Sequence, residues 1–587
     1  MKSIIGSGLA MAMGASATVI RLNPESSELA LKPRQSTACE NSPTSRSCWG
    51  DYSIDTDYYK EMFSTGVTRE YWLTLDPIDC APDGYQRTCM AFNGTVPGPQ
   101  LTADWGDNLK IHVTNNLQTN GTAIHWHGLR QLNSSHADGV PGVTECPIAP
   151  GTSKTYDFQV TQYGSTWYHS HFALQYAEGA FGGLVLNGPA TADYDEDLGM
   201  LFLNDWSHTE AFSLWDEAKN AGPPAMENGL INGTNTFDCS ASTDAKCSGN
   251  GTKWETVFEA GKKYRIRIIN AATDGHFQFS IDGHNLTVIG NDLVPIVPYA
   301  TEAVGIGMGQ RYDIIVEANA ASGDYWLRAK WNTACSNNQN PDGITGIVRY
   351  DSSSSADPTT VSTVTKTESC GDEPLTNLVP HLSLDVGTIN EIASQSMSFA
   401  TGGEWFQWTL NGSSLEIDWE NPTLTRMMNG ETEFPLDYNV VTVGRTPGAT
   451  DAEFVVLVIE DDTGFGIYHP IHLHGHDFWV LGQDTGMWHG NTSLLNMSNP
   501  PRRDVATLPG NGYLAIAFEL DNPGAWLVHC HIAWHASEGL AMEFVEDQSL
   551  YTISDADTAV SETQCANWNS YMNTTTYASF PKDDSGI

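Results

Sequence analysis

The chain repeats a histidine pattern that random placement does not produce. With 18 histidines in 587 residues, chance yields on the order of half an H-x-H triplet. The sequence has five, at 125/127, 169/171, 472/474, 474/476 and 529/531. They fall into two matching sets. Ala123-Ile-His125-Trp-His127-Gly128 resembles Pro470-Ile-His472-Leu-His474-Gly475, and each is followed further along by a second pair, in Trp167-Tyr-His169-Ser-His171 and Trp526-Leu-Val-His529-Cys-His531. The first and last thirds therefore read as copies of one unit. A fainter third copy lies between them: 277–290 aligns with 469–482 through Gly283/Gly475, His284/His476 and Val288/Val480. In that copy Phe277, Ser280 and Asp282 occupy the histidine positions, and 322–328 stands where the second pair would fall.

Residues i and i+2 of a β-strand share a face, so each pair presents two imidazoles to one site. Eight such histidines from two units supply a multi-metal cluster between the units. Short β-rich runs at 109–113, 156–160, 264–269, 312–316 and 514–519, bounded by turn residues, predict an all-β fold with few long helices. A Ser/Thr-rich stretch over 352–369 reads as a linker.

The last motif separates one metal from another. In His529-Cys530-His531-Ile-Ala-Trp-His535, the two flanking histidines face one way and Cys530 the other, so one strand serves two sites. Cys530, His535 and the distant His469 make a His₂Cys set, the trigonal arrangement of blue copper. Structural zinc prefers closed tetrahedral sites with C-x₂-C spacing, and no such spacing occurs. The axial position, ten residues after Cys530, is Leu540, which cannot coordinate; Met542 is the alternative on the same strand face. Setting Cys530 aside, ten of the 11 cysteines remain for disulfides. The natural pairs are Cys39/Cys48, Cys80/Cys89, Cys239/Cys247 and Cys335/Cys370, leaving Cys146 with Cys565, although sequence leaves this connectivity open.

The formal charge of −43 excludes a nucleic-acid or anionic-membrane partner. Lys2, an apolar run over 4–15 and small residues to Ala17 predict a secretory signal over 1–17, with a second cut conceivable near residue 34. No later stretch is long and apolar enough to span a membrane. Sequons at Asn93, Asn120, Asn133, Asn232, Asn250, Asn285, Asn411, Asn491, Asn496 and Asn573 fit a secreted chain.

At HWHG, HSH, HPIHLHGH and HCHIAWH the chain resembles the multicopper oxidases, and its spacing and C-terminal Asp584-Ser585-Gly586-Ile587 look like the ascomycete laccases. The resemblance covers roughly residues 37–587 and implies three cupredoxin-like Greek-key β-barrel domains, over 50–189, 190–351 and 370–587, the middle one without copper ligands. It implies four copper ions. His469, Cys530 and His535 would hold type 1 copper, and His125 and His472 type 2. His127, His169, His171, His474, His529 and His531 would hold the type 3 pair. His476, like His112, His136, His208, His276, His284, His381 and His489, matches no ligand.

The implied activity is that of a benzenediol:oxygen oxidoreductase, a secreted laccase acting as a monomer on O₂ and small phenols or aromatic amines. Electrons enter through His535 and pass from Cys530 to His529 and His531. Asp138 matches an acid beside the cluster, although an Asp-Gly pair also simply makes a turn. Asp274 matches the carboxylate that accepts the phenol proton. Pro223, Phe406, Trp408, Phe465, Ile467 and Trp534 match the apolar pocket wall, and the terminal DSGI matches a plug of the channel to the cluster. Two other readings compete: a multicopper oxidase of ascorbate, bilirubin or metal ions, and a copper-binding electron carrier. A membrane ferroxidase would carry an anchor and a cuprous oxidase a Met-rich insert, and neither is visible. A carrier needs only the blue site, whereas all ten histidines and the cysteine are present.

Overall fold

A computed structural model describes residues 32–33, 39–401, 405–574 and 583–587. The signal expected over 1–17 lies outside the described residues. Each third of the chain forms a pair of β-sheets, and the all-β expectation holds. In the first, Ser153–Gln159, Asn108–Asn115, Thr68–Cys80 and Arg87–Phe92 form one sheet, and Gly98–Asp104, Phe181–Asn187, Gly164–Ser170 and Ile124–Trp126 the other. The outer sheet shows the one-sided pattern of a half-wet surface: Leu109, Ile111 and Val113 are buried while Lys110, His112 and Thr114 are not.

The inner sheets of the later units repeat one order. Val440–Val443, Ala541–Glu546, Gly524–Cys530, His469–Leu473 and Val505–Leu508 lie side by side in the third unit. Glu255–Val257, Thr345–Arg349, Asp324–Trp331, Phe277–Ile281 and Val304–Ile306 lie in the same order in the second. The sequence alignment of the middle copy is thus reproduced in space. Where the third unit carries histidines, Phe277 packs edge-on against Trp331 at 5.5 Å, and Asp282 pairs with Arg328 at 2.7 Å. An apolar contact and an ion pair fill the place of a metal site. Residues 352–369 form no strand or helix and run along this unit, with Thr360 bonded to Asp282 at 2.8 Å.

A second repeat escapes a search for histidines. Asn93-Gly94-Thr95, Asn232-Gly233-Thr234 and Asn411-Gly412-Ser413 occupy one turn in each unit, with asparagine φ of 50°, 48° and 50°. Each asparagine Oδ1 accepts from a backbone amide, of Thr74, Phe202 or Ser396, at 2.7, 2.7 and 2.8 Å. Each Nδ2 donates to the carbonyl two residues earlier, of Trp72, Met200 or Ser394. Asn-Gly is the residue pair such a left-handed turn needs.

Helices are more extensive than the sequence suggests. Ala211–Ala221 and Asp555–Thr574 are α-helical, and the latter escapes periodicity because only Gln564 and Trp568 of its 20 residues are buried. Disulfides join Cys39 to Cys48, Cys80 to Cys89, Cys239 to Cys247 and Cys335 to Cys370, and Cys146 to Cys565 ties that last helix to the first unit. Cys530 is the free cysteine among the described residues.

Candidate metal centre

Inner strands covered on both faces can carry polar side chains only if those side chains find partners. Gly524–Cys530 is buried along its whole length, yet bears His529 and Cys530. Strand register sets the neighbours: His169 lies opposite His125, and His472 opposite His529. Across the interface between units, His125 stacks on His474 and His127 on His472, both with ring centres 3.9 Å apart. His125 Nε2 and His472 Nε2 are 3.4 Å apart.

The hydrogen bonds of these rings point the same way. Nδ1 of His125, His169, His472 and His529 donates to the carbonyls of Asp138, Ser170, Asp504 and Cys530, at 2.9, 3.0, 2.7 and 2.9 Å. Nδ1 of His474 donates to Asp138 Oδ2 at 2.8 Å. A proton held on Nδ1 leaves Nε2 as the lone pair, the tautomer a metal requires. Nε2 of His169, His474 and His529, and both ring nitrogens of His171 and His531, have no protein partner although buried. Burial first, then neighbouring imidazoles, pushes the pKa of His127, His169, His171, His472 and His474 well below the usual 6.5; for His531 it is burial and then His529. Neutral imidazoles with unused lone pairs facing one cavity fit cations. Ligand atoms gather into sets within 4.8 Å, among them His125/His472/His474, His125/His127/His169 and His171/His474/His529. His531 joins none of these sets; its ring lies 5.1 Å from His127 and 5.7 Å from His169.

Sequence reading missed Asp504. It is fully buried, its Oδ1 is 3.2 Å from His127 Nε2, and Arg311 grips both its oxygens at 2.5 and 2.6 Å. Burial pushes its carboxyl up to about 7 against the pull of Arg311. The signal was present as Arg502-Arg503-Asp504, three charges leading into an apolar strand. Gly128, at φ +75°, makes the room: a Cβ there would sit 2.4 Å from both Arg311 Nη2 and Asp504 Oδ2.

On the other face of the same strand, Cys530 Sγ is 3.7 Å from His469 Nδ1 and 3.7 Å from His535 Nδ1, and the two nitrogens are 3.1 Å apart. Metal–ligand bonds of about 2.0–2.3 Å at trigonal angles separate sulfur from nitrogen by about 3.7 Å. Burial holds the Cys530 thiol far above its ordinary pKa and His469 down at about 4, so without a cation the site is neutral. Leu540 brackets it: its carbonyl accepts from Cys530 N at 3.0 Å and its amide donates to His535 O at 2.9 Å. Met542 is one rung away, opposite Val528.

Trp408 closes this site, with its ring centre 4.8 Å from that of His535 and 5.0 Å from that of His469. Phe406 and Phe465 lie 5.1 and 5.9 Å from Trp408, and Phe399, unforeseen, stacks on Phe465 at 4.8 Å. Ile467 is partly buried against the core that includes Trp408, Trp534 is fully buried, and Pro223 is exposed just beyond the helix Ala211–Ala221. Ala533 N donates to Thr273 O at 3.0 Å, which brings the loop carrying Asp274 beside the helix that carries His535. The Asp274 carboxyl is pushed well above its usual range by burial, then by Asp205 and Glu538. The tail is seated as well. Ser585 bonds the Ser537 and Ala536 carbonyls at 2.8 and 2.7 Å, Gly586 O accepts from Trp419, and Ile587 lines the cavity shared by His169, His171, His529 and His531. Asp584 beside them is partly buried.

Residues 74–191, 197–353 and 401–549 each match a multicopper oxidase family profile. The chain is 62% identical over 561 residues to Laccase-2 of Botryotinia fuckeliana, covering 95% of each, and 54% identical to Laccase-1 of that fungus over 563 residues, again 95% of each. Among solved structures, the laccase of Botrytis aclada superposes with a TM-score of 0.90 at 61% identity, covering 94% of this chain and all of that one.

Proposed function

The chain belongs to the multicopper oxidases, and from that premise we propose that it is a laccase, oxidising phenols and aromatic amines with O₂. His469, Cys530 and His535 would hold type 1 copper, His125 and His472 type 2, and His127, His169, His171, His474, His529 and His531 a type 3 pair, four ions in all. Copper supplies one-electron redox chemistry at the first site and O₂ reduction at the cluster. The observation that carries this reading is the triangle of Cys530, His469 and His535, whose two sulfur–nitrogen edges of 3.7 Å suit one shared ion.

The protein groups divide the remaining work. Phenols pack against Phe406, Trp408 and Phe465, and Asp274 accepts the hydroxyl proton as the electron leaves through His535. Cys530 and His529 are adjacent residues, and the bond from His529 Nδ1 to the Cys530 carbonyl makes a second link between the two sites. Four phenols lose four electrons and four protons; one O₂ takes them up and leaves as two waters. Asp138 holds His474 through its carboxylate and His125 through its carbonyl, and in this reading it hands on protons. Leu540, buried and unable to coordinate, would add no fourth donor to a copper held by these three residues, which would favour the reduced ion.

The five disulfides and the sequons support secretion, and we read the protein as an extracellular monomer. No helix among the described residues is long and apolar enough to cross a membrane. The deciding experiment measures oxygen uptake with a panel of phenols against ascorbate and ferrous ion, with copper counted per chain. Phenol-driven uptake with four coppers is expected. Faster turnover of ascorbate or ferrous ion, or a chain that binds one copper without oxygen uptake, would sink the reading.

A further inference from the structure

Glu538 belongs to no ligand set, and so far it has entered only as a charge near Asp274. It is nevertheless almost completely buried, at 3% exposure, next to the type 1 histidines. It follows the short helix Ala533–Ser537, which carries His535, and its amide caps that helix by donating to Trp534 O at 2.9 Å. Its carbonyl also accepts from Ser414 Oγ at 3.4 Å, and two further bonds tie it to Trp408, from a different part of the chain. Trp408 N donates to Glu538 O at 3.0 Å, and Trp408 Nε1 donates to Glu538 Oε2 at 2.8 Å. A tryptophan held at both backbone and indole cannot swing, and this is the tryptophan whose ring lies against both His469 and His535.

A buried carboxylate costs free energy that an apolar side chain would not. Core packing alone would be served by leucine or methionine at this position. What only an acceptor can do here is fix the indole, since a buried N–H left without a partner costs the desolvation of that group.

We propose that Glu538 is a positioning residue of the electron-entry site: through its carboxylate it locks Trp408 against the imidazoles of His469 and His535, so that the aromatic wall and the copper-binding rings move as one body. This rests on the reading of that site as type 1 copper beside a phenol pocket. A phenol docking on the wall is thereby held at a constant separation from His535. The same bond restrains the two imidazoles themselves, because the ring that covers them has no freedom to retreat.

The test compares Glu538→Gln, which keeps a carbonyl acceptor, with Glu538→Leu, which does not, each alone and combined with Trp408→Phe, which keeps the ring and removes the N–H. In the copper-loaded protein, Glu538→Leu is expected to raise KM for a phenol about fivefold, the size of one lost hydrogen bond, and to shift the blue absorption band. Glu538→Gln should stay within about twofold of the parent. In the Trp408→Phe background Glu538→Leu should add nothing. An unchanged KM and blue band in Glu538→Leu, or an equal effect in the presence and absence of the indole N–H, overturns the proposal. If Glu538→Leu fails to fold, Trp408→Phe alone decides, since it must reproduce the KM increase and the band shift with copper content intact. A parent protein without a blue band would instead overturn the type 1 reading, so the two failures are distinct.

Discussion

Asp138, carried by the first unit, accepts a 2.8 Å hydrogen bond from Nδ1 of His474, carried by the third. The same carboxylate reaches His125 Nδ1 at 3.2 Å. One fully buried residue thus orients an imidazole from each half of the duplicated centre, His474 through its carboxylate and His125 through its backbone carbonyl, which accepts from Nδ1 at 2.9 Å. Asp138→Ala should lower copper affinity at the cluster by about 10–100-fold and abolish O₂ reduction, while the blue site keeps its absorption. Copper counting together with the visible spectrum checks this; loss of the blue band as well would mean that Asp138 serves the whole fold.

Cys530 supplies the sulfur of the electron-entry site, and no other described cysteine is free to replace it. Cys530→Ser should leave the circular dichroism and the cluster coppers in place and remove both the blue absorption and oxidase turnover. Retained turnover would refute electron entry at this residue.

Asp274 titrates above the usual carboxylate range because burial and the nearby Asp205 and Glu538 disfavour its charge. Its base form therefore accumulates only as pH rises through that raised value. Phenol kcat/KM should climb with pH along this limb, Asp274→Asn should lose the limb, and a donor without a proton to give should behave alike in both proteins. Equal losses on both substrates would remove Asp274 from proton transfer.

Glu543 is fully buried beside Thr423, and burial raises its pKa from 4.5 to about 8. A group that binds its proton more tightly in the folded state contributes stability in full below its unfolded pKa and loses it as pH rises toward the folded one. Glu543→Gln stays neutral throughout. Relative to the parent, its Tm should be higher at pH 8 than at pH 5, and a parallel shift at both pH values would contradict the assignment.

The disulfide Cys146–Cys565 closes a separation of 419 residues. Replacing both cysteines with alanine should lower stability by several kcal/mol, about 5 at most. The loss should appear first as faster hydrogen exchange in the helix Asp555–Thr574. Unchanged protection there would show that Trp568 packing alone holds the helix.

Much of the chemistry was legible in the residues because it is local. An H-x-H pair on a strand needs no knowledge of the fold to place two rings on one face, and Cys530 between His529 and His531 separates two sites by alternation alone. Duplication then announced the units, and even the middle copy without ligands could be aligned, since Phe277 and Gly283 keep strand and turn where the histidines are lost. The helix Asp555–Thr574 was invisible for the converse reason: two buried residues in five turns leave no period to read.

What tertiary structure alone decided are the contacts between residues far apart in sequence. Glu538 meets Trp408 once the third unit has folded, and Asp504 meets His127 and Arg311, and Asp138 meets His474, only after the units have packed. Sequence determined which atoms are able to bind copper, because ligand chemistry belongs to the side chain and its face to the strand. The fold determined which proton sits on which nitrogen and which ring is held against which, because hydrogen bonds are directional and a partner such as Asp138 for His474 comes from another unit.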